Sequence, residues 1–411
     1  MRHTCALDYF LDYVKYDTQS NPAGEGTPSS ENQWPLAKRL ASDLEALGLE
    51  VELSEHCYVY GRLAANDAVY AKQPPLGFIA HIDTAPDFSG ANVNPCVLTY
   101  TGGDIVLDEA EDIRIEAALF HELETLVGEE LVVTDGHSLL GADDKAGVSE
   151  IMALFAELQA HPEIKHGPLR VCFTPDEEIG GGTAKFELER FDAYYAYTVD
   201  GGKLGELEYE NFNAASALIE VEGLSVHPGS AKKRMINAAD LAARFVASMD
   251  PCDTPRYSEG RQGFYHLSDF TGGVASARIE YIIRDFDLDA FEARKSDLIQ
   301  RVEAFNNGLD VPRFKITITD QYFNMVEKIK TRFELIENAR EAMRRHDIEP
   351  IEEAIRGGTD GAMLSYMGLP CPNLFTGGAN FHGRYEYLVL SSMDLAVDVL
   401  LELVNIYTQA A

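Results

Sequence analysis

The sequence is poor in positive charge and in long apolar runs. Its 411 residues include 34 Lys and Arg against 68 Asp and Glu, which gives a formal net charge of −34 at pH 7. A chain with this charge repels polyanions, so we do not expect nucleic acid as a partner. The sequence has neither an apolar region near its N-terminus nor a stretch of about 18 apolar residues. We therefore expect no export signal, no membrane partner and a cytoplasmic location.

Cysteine and tryptophan are also scarce. The six cysteines show no CxxC spacing, and there is a single Trp. This cysteine pattern argues against thiolate zinc sites and against a disulfide framework. With 45% hydrophobic side chains, the chain is nevertheless long enough for two domains with separate cores.

Short apolar runs alternate with helical patterns in the first half of the chain. Such runs precede His81, Pro175 and Asp200, and the leucines at 36, 40, 44 and 47 have helical spacing. Continuous apolar strands between helices predict an α/β fold, in which a mixed sheet is covered by helices. Ligands of such sheets bind beyond the strand ends, which is where these polar residues lie.

The pattern changes after residue 210. Six segments follow in the order β-α-β-β-α-β, at 214–221, 236–249, 263–270, 275–284, 288–305 and 313–319. This order is typical of a split βαβ, ferredoxin-like unit. We therefore predict a catalytic metal-binding domain of residues 1–210 and 322–411. It is interrupted by a smaller ferredoxin-like α+β lid or dimerisation domain of residues 211–321.

Potential metal ligands stand at predicted strand ends and in glycine-rich turns. They are His81, one of Asp143 and Asp144, Glu178, Asp200 and His382, with two further carboxylates, Asp83 and Glu177, beside them. Two histidines and three carboxylates can hold a pair of zinc ions if one carboxylate bridges them. Each motif alone has a simpler interpretation, such as a helix cap at the two aspartates or an ordinary turn at Asp200. Only their combination favours a metal site.

The acidic run Asp176-Glu177-Glu178 is the most informative of these motifs. Three successive acids after an apolar strand repel one another unless water or cations neutralise them. The glycines at 180–182 do not form a phosphate-binding frame, and acids beside a phosphate would oppose its binding. The run therefore favours a metal ligand next to a general base over a nucleotide site.

Four segments carry a resemblance to a known family. They are 77–87 (GFIAHIDTAPD), 140–147 (LGADDKAG), 176–180 (DEEIG) and 380–383 (NFHG). Together they resemble the tripeptide aminopeptidase branch of the co-catalytic zinc exopeptidase family. The similarity runs over nearly the whole chain and includes 226–229 and 356–361.

This resemblance implies an activity and a set of metal ligands. Members of the branch remove the N-terminal residue from tripeptides by means of a water activated by two zinc ions per subunit. By resemblance, Asp143 bridges the two zinc ions, because the family's Asp-x-Lys spacing selects it over its neighbour. His81 and Asp200 then complete one coordination sphere, and Glu178 and His382 complete the other.

The resemblance also implies roles for residues around the metals. Glu177 is expected to be the general base and Asp83 to orient His81. His227, in the predicted inserted domain, is expected to donate a hydrogen bond to the oxyanion. The simpler interpretation of His227 is a histidine at the start of a helix.

Selection of tripeptides requires that both ends of the substrate are held. An extended tripeptide spans about 10 Å at roughly 3.3 to 3.6 Å per residue, so cations at that distance from the metals would bind its C-terminal carboxylate. Arg284, Arg356 and Lys232 are candidates for this contact, although Arg284 equally fits an ion pair with Asp285 and Lys232 a solvated surface.

Other activities and assemblies stay open at this stage. A carboxypeptidase or an N-acyl-amino-acid deacylase of the same family would use identical metal ligands. A non-catalytic binding protein is disfavoured, because no ligand and no base is missing from the sequence. The expected partners are thus a small peptide substrate and, through the inserted domain, a second copy of the chain in a homodimer.

Overall fold

The computed structural model describes residues 3–409, among which the chain forms ten α-helices and seventeen β-strands. The strands are β1 (Glu50–Leu53), β2 (Val59–Leu63), β3 (Leu76–His81), β4 (Cys96–Thr99), β5 (Ile105–Asp108), β6 (Ile113–Ile115), β7 (Glu130–Val133), β8 (Leu169–Thr174), β9 (Tyr195–Gly201), β10 (Leu207–Glu208), β11 (Asn213–Glu222), β12 (Phe264–Gly272), β13 (Ser276–Asp285), β14 (Phe314–Tyr322), β15 (Asn373–Phe375), β16 (Gly378–Ala379) and β17 (Tyr387–Val389). The helices are α1 (Thr4–Tyr13), α2 (Gln33–Ala46), α3 (Ala142–Ala160), α4 (Leu188–Phe191), α5 (Ala238–Ala247), α6 (Leu288–Asn307), α7 (Val326–Ile329), α8 (Glu334–Arg345), α9 (Asp360–Met367) and α10 (Leu390–Gln409). Within 3–409, no helix has both the length and the apolar character needed to cross a membrane.

The chain forms two compact units. The first consists of Met1–Tyr209, Glu327–Glu353 and Thr359–Ala411, and the second of Glu210–Val326 and Ala354–Gly358. The predicted inserted segment, 211–321, lies within the second unit. That unit also contains Glu210 and residues 322–326 and 354–358, which the prediction assigned to the other domain.

The first unit is built on a seven-stranded mixed sheet with the order β1-β2-β8-β3-β9-β15-β10. Its four central strands, β8, β3, β9 and β15, are parallel to one another. The outer strands pair antiparallel with their neighbours. The parallel strands are almost continuously buried, as expected for a sheet that is covered on both faces.

Successive residues of the central strands pack in different directions. Ile79 of β3 belongs to an apolar cluster that includes Leu364 of α9. The neighbouring Phe78 instead stacks on Tyr197, whose hydroxyl contacts that of Tyr407 on α10 at 2.9 Å. This alternation follows from the two-residue period of a strand, and it places helices on both faces. The predicted α/β class with a helix-covered mixed sheet is thus confirmed.

The second unit is a four-stranded antiparallel sheet with the order β12-β13-β11-β14. Helix α5 follows β11 and helix α6 follows β13 along the chain, which gives the predicted β-α-β-β-α-β order. Ile219, Ile279, Phe245 and Leu298 belong to one buried cluster made by strands and helices together. This unit therefore has an apolar core of its own.

Candidate metal centre

Three neighbouring parallel strands bring acidic and histidine side chains to one edge of the sheet. His81 is the last residue of β3, and Asp200 is the penultimate residue of β9. Glu177 and Glu178 form a short 3-10 helix just after β8. Because β8, β3 and β9 are parallel neighbours, their carboxyl ends lie at the same edge of the sheet. The residues at these ends therefore lie side by side.

His81 lies between carboxylates on both sides of its ring. Its Nε2 is 2.9 Å from Oδ1 of Asp143 and 3.4 Å from Oδ1 of Asp200. Its Nδ1 is 3.0 Å from the backbone oxygen of Asp83 and 3.4 Å from Oδ1 of the same residue. Oxygen acceptors at Nδ1 favour the tautomer that is protonated there, and this tautomer presents the Nε2 lone pair to a metal.

His382 approaches the same cluster from the segment that precedes β17. Its Nε2 is 2.9 Å from Oε2 of Glu178 and 3.3 Å from Oδ2 of Asp143. Asp143 therefore turns one carboxylate oxygen toward His81 and the other toward His382. This is the geometry expected of a carboxylate that bridges two ions. All five proposed ligands come together, although they are spread over three hundred residues of sequence.

Asp143 and Asp144 have different surroundings. Ligand atoms of His81, Asp143 and Glu178 lie within 4.8 Å of one another, and so do those of His81, Asp144 and Asp200. The Asp144 carboxylate, however, accepts the backbone N–H groups of His81 at 3.1 Å and Gly147 at 3.2 Å. Because backbone donors occupy both of its oxygens, Asp144 fits a positioning role better than the bridging one.

Asp83 is fully buried and connects three residues of the site. Besides its contact with His81, its carboxylate accepts the backbone N–H of Glu177 at 3.0 Å and that of Glu178 at 3.2 Å. It thus orients the imidazole and also holds the turn on which both glutamates stand. This arrangement is more extensive than the single contact with His81 that the sequence predicts.

The donor set fits a pair of divalent cations. Burial raises the pKa of Glu178 and of Asp200 to about 7, because too little positive charge surrounds their carboxylates. Hydrogen bonds that the His382 ring donates to the carboxylates of Asp143 and Glu178 raise the pKa of His382 to about 11. Oε1 of Glu178 is buried, and no group within residues 3–409 donates a hydrogen bond to it. Cations at this position would neutralise the carboxylates and bind Oε1 of Glu178.

Three further residues support the site and were not predicted. Glu386 accepts the backbone N–H of Asp143 at 3.0 Å, and Asn373 accepts that of Asp200 through Oδ1, also at 3.0 Å. Asp360 is buried and accepts a hydrogen bond from Oγ1 of Thr174 at 2.9 Å. Asp360 belongs to a segment that carries the resemblance, which is a signal that could have identified it. The other two have no comparable sequence signal.

The remaining predicted residues lie in the second unit. His227 is exposed, and its Nδ1 accepts the backbone N–H of Gly229 at 3.1 Å. The Arg284 guanidinium stacks 5.2 Å from the ring centre of Tyr322, and burial lowers its pKa. No ion pair joins Arg284 to Asp285 among the described residues; Asp285 instead pairs with Arg294 at 2.8 Å.

Arg356 is held by its own surroundings. Its guanidinium stacks 5.0 Å from the ring centre of Phe212 and donates a 2.9 Å hydrogen bond to the Ser258 hydroxyl. It also donates to the backbone oxygen of Gly260. These contacts are those of a residue that fastens the 258–262 loop.

Comparison with known protein families gives one match. The model of peptidase family M20/M25/M40 matches residues 132–406. Among curated proteins, a peptidase T from a Geobacillus species is 50% identical over 407 residues, which are 98% of this chain and 99% of that protein.

Solved structures with the same fold extend this similarity. A tripeptidase from Staphylococcus aureus aligns with a TM-score of 0.77 at 20% identity, over 100% of this chain and 99% of that one. A Bacillus subtilis protein described as a dinuclear metal binding peptidase of the M20 family aligns with a TM-score of 0.65 at 14% identity, over 100% and 99%. At these identities the structures show a shared fold.

Proposed function

The chain belongs to peptidase family M20/M25/M40, and from that membership we propose that it removes the N-terminal residue from tripeptides at a pair of zinc ions. The chain is similar to peptidase T enzymes along its whole length, and it is therefore a hydrolase. The observation that carries the proposal is the position of Asp143, whose two oxygens face His81 and His382 separately. A donor arrangement of this kind serves two ions rather than one.

Five residues would hold the metals in this proposal. Asp143 would be shared by both ions, His81 and Asp200 would bind one of them, and Glu178 and His382 would bind the other. Bound there, two zinc ions would supply Lewis-acid polarisation of the scissile carbonyl and lower the pKa of the attacking water. The contacts that fix these side chains, such as that of His81 Nδ1 with the backbone oxygen of Asp83, would keep them in place to bind the ions.

Proton transfer is assigned to Glu177. Burial raises the pKa of this carboxyl well above its ordinary value, which suits a group that accepts a proton from water and returns it to the leaving amine. Asp83 holds the backbone N–H of Glu177, so the base stays fixed while it changes its protonation state.

The second unit is proposed to act as a lid or dimerisation domain that binds substrate. Because Nδ1 of His227 accepts the Gly229 N–H, a neutral ring would carry its proton on Nε2, which is the donor that the proposed role of this residue requires. Binding of a C-terminal carboxylate by Arg284 or Arg356 would require exchange of their present contacts. The homodimer, the peptide substrate and the cytoplasmic location stay proposals of the same kind.

Metal analysis paired with product analysis tests the proposal. We expect about two zinc ions per chain, release of the N-terminal residue from a tripeptide, and loss of turnover after complete chelation, with recovery on readdition of zinc. Preferred hydrolysis of N-acyl amino acids, or release of the C-terminal residue, would instead favour the deacylase or carboxypeptidase alternative. Turnover that survives full metal removal would contradict the mechanism.

A further inference from the structure

Glu386 is a buried carboxylate just before strand β17, and it is 2% exposed. Its Oε2 accepts the backbone N–H groups of Leu140 at 2.7 Å and Gly141 at 2.8 Å. Its Oε1 accepts the N–H of Asp143 at 3.0 Å. Both oxygens are therefore directed at the turn that presents the proposed bridging ligand.

Local contacts hold only part of that turn: Oδ1 of Asp144 accepts the N–H of Gly147 at 3.2 Å. The N–H groups of residues 140, 141 and 143 bond to Glu386 and to no side chain of their own segment. The first N–H groups of a helix have no partner within the helix, and a side chain at the N-cap normally accepts one of them. The N-cap of α3 is Gly141, which has no side chain and has left-handed backbone with φ of 78°. Glu386 supplies the missing acceptor from a distant part of the chain. Its negative charge also suits the N-terminal end of a helix.

Glu386 also closes the loop that carries His382. Asn380 and His382 both have left-handed backbone, with φ of 59° and 65°. The side chain of Asn380 donates to the backbone oxygen of Tyr385 at 3.2 Å, and the backbone N–H of Glu386 donates to the backbone oxygen of Gly383 at 3.4 Å. The backbone of Glu386 thus ends the His382 loop, while its side chain holds the Asp143 turn.

We propose that Glu386 is a positioning residue that sets the separation of Asp143 and His382, and with it the geometry of the second metal position. Nε2 of His382 and Oδ2 of Asp143 are 3.3 Å apart, and Glu386 forms hydrogen bonds with both segments. The inference rests on the proposed metal centre. A carboxylate is required because all three partners are N–H donors, and a glutamine would direct its own N–H groups at one of them.

Glu386→Gln is the direct test, because it keeps the size of the side chain. We expect the affinity for one of the two zinc ions to fall about 10- to 100-fold, as is typical when a residue that orients a metal ligand is changed. Competition with a chromogenic chelator measures this affinity on folded protein. The visible absorption of the cobalt-loaded protein should also change, since it reports ligand geometry.

Glu150→Gln is a matched control on the same helix. Glu150 is fully buried in α3, and neither of its oxygens accepts a hydrogen bond from any group in residues 3–409. Its substitution removes a buried carboxyl without breaking a contact, so both zinc affinities should equal those of the parent. Glu386→Asp keeps the charge but shortens the reach, and it should give an intermediate affinity.

Hydrogen–deuterium exchange on the metal-free parent adds a measurement that needs no variant. The amides of residues 140, 141 and 143 should exchange slowly, because Glu386 accepts all three. Exchange at the rate of an open loop, or a folded Glu386→Gln that binds two zinc ions as tightly as the parent, would overturn the inference. If the parent itself binds no metal, the proposed function fails. Slow exchange at these amides would still show that Glu386 holds the turn before Asp143.

Discussion

Gly147→Ala should disturb the metal centre by forcing helix α3 away from strand β9. A Cβ at Gly147 would lie 1.7 Å from the backbone oxygen of Val199 and 2.5 Å from Oδ1 of Asp144. The first of these atoms belongs to the backbone, so no side-chain rotation relieves the clash. The strand must retreat by about 1.7 Å to reach ordinary van der Waals contact at 3.4 Å.

This displacement acts on two of the proposed ligands at once. Asp143 lies four residues before Gly147 in the sequence, and Asp200 directly follows Val199. Overpacking of this kind costs about 1–3 kcal/mol of unfolding free energy. A misplacement of about 1 Å in a catalytic site lowers turnover by roughly 100-fold, so we expect at least that loss. Urea unfolding, zinc content and tripeptide turnover measure the three effects.

Ala153→Gly is the control that separates stability from position. Ala153 is buried in the same helix, and glycine in a helix interior costs about 1 kcal/mol relative to alanine. This variant should lose stability without moving Asp143 relative to Asp200, and its zinc content should match that of the parent. Parent-like zinc content and turnover in Gly147→Ala would refute the close approach of α3 and β9.

Three further predictions concern the base, the N-terminal helix and the core. Glu177→Gln should retain both zinc ions and lose turnover about 10²- to 10⁴-fold; unchanged turnover would remove Glu177 from its role. The hydrogen bond to Asp398 raises the pKa of His3 above 6.5, so its stabilisation is complete below that pH and is lost as pH rises through the raised value. His3→Gln should therefore melt at a lower temperature than the parent, and this difference should be largest at acidic pH. A difference that stays constant across pH would disprove the prediction. Phe78→Ala should cost about 3–5 kcal/mol in urea unfolding, since Phe78 is fully buried and stacks on Tyr197; a loss below about 1 kcal/mol would contradict that packing.

The sequence predicted the fold where short-range patterns are sufficient. The helix predicted at 288–305 is observed as Leu288–Asn307, because its apolar spacing and the Asp287 cap are local features. The domain boundary was harder to predict from the sequence. Residues 354–358 belong to the second unit, and the Arg356 contacts that fasten them there join segments almost a hundred residues apart. No local pattern encodes such a contact.

The sequence predicted which histidines and acids lie together, but not the contacts that hold them in place. Histidines and acids at strand ends can be recognised because a parallel sheet brings its strand ends together. The backbone at Asp176 and His382 is left-handed, although residues other than glycine seldom adopt that conformation. Asp176 is held by Ser29 and Gln33, whose side chains donate to its carboxylate at 2.6 and 2.7 Å. Uncommon backbone of this kind persists only where long-range contacts determine it. These contacts are therefore part of the site, because without them the strand ends would still meet but the side chains would not converge.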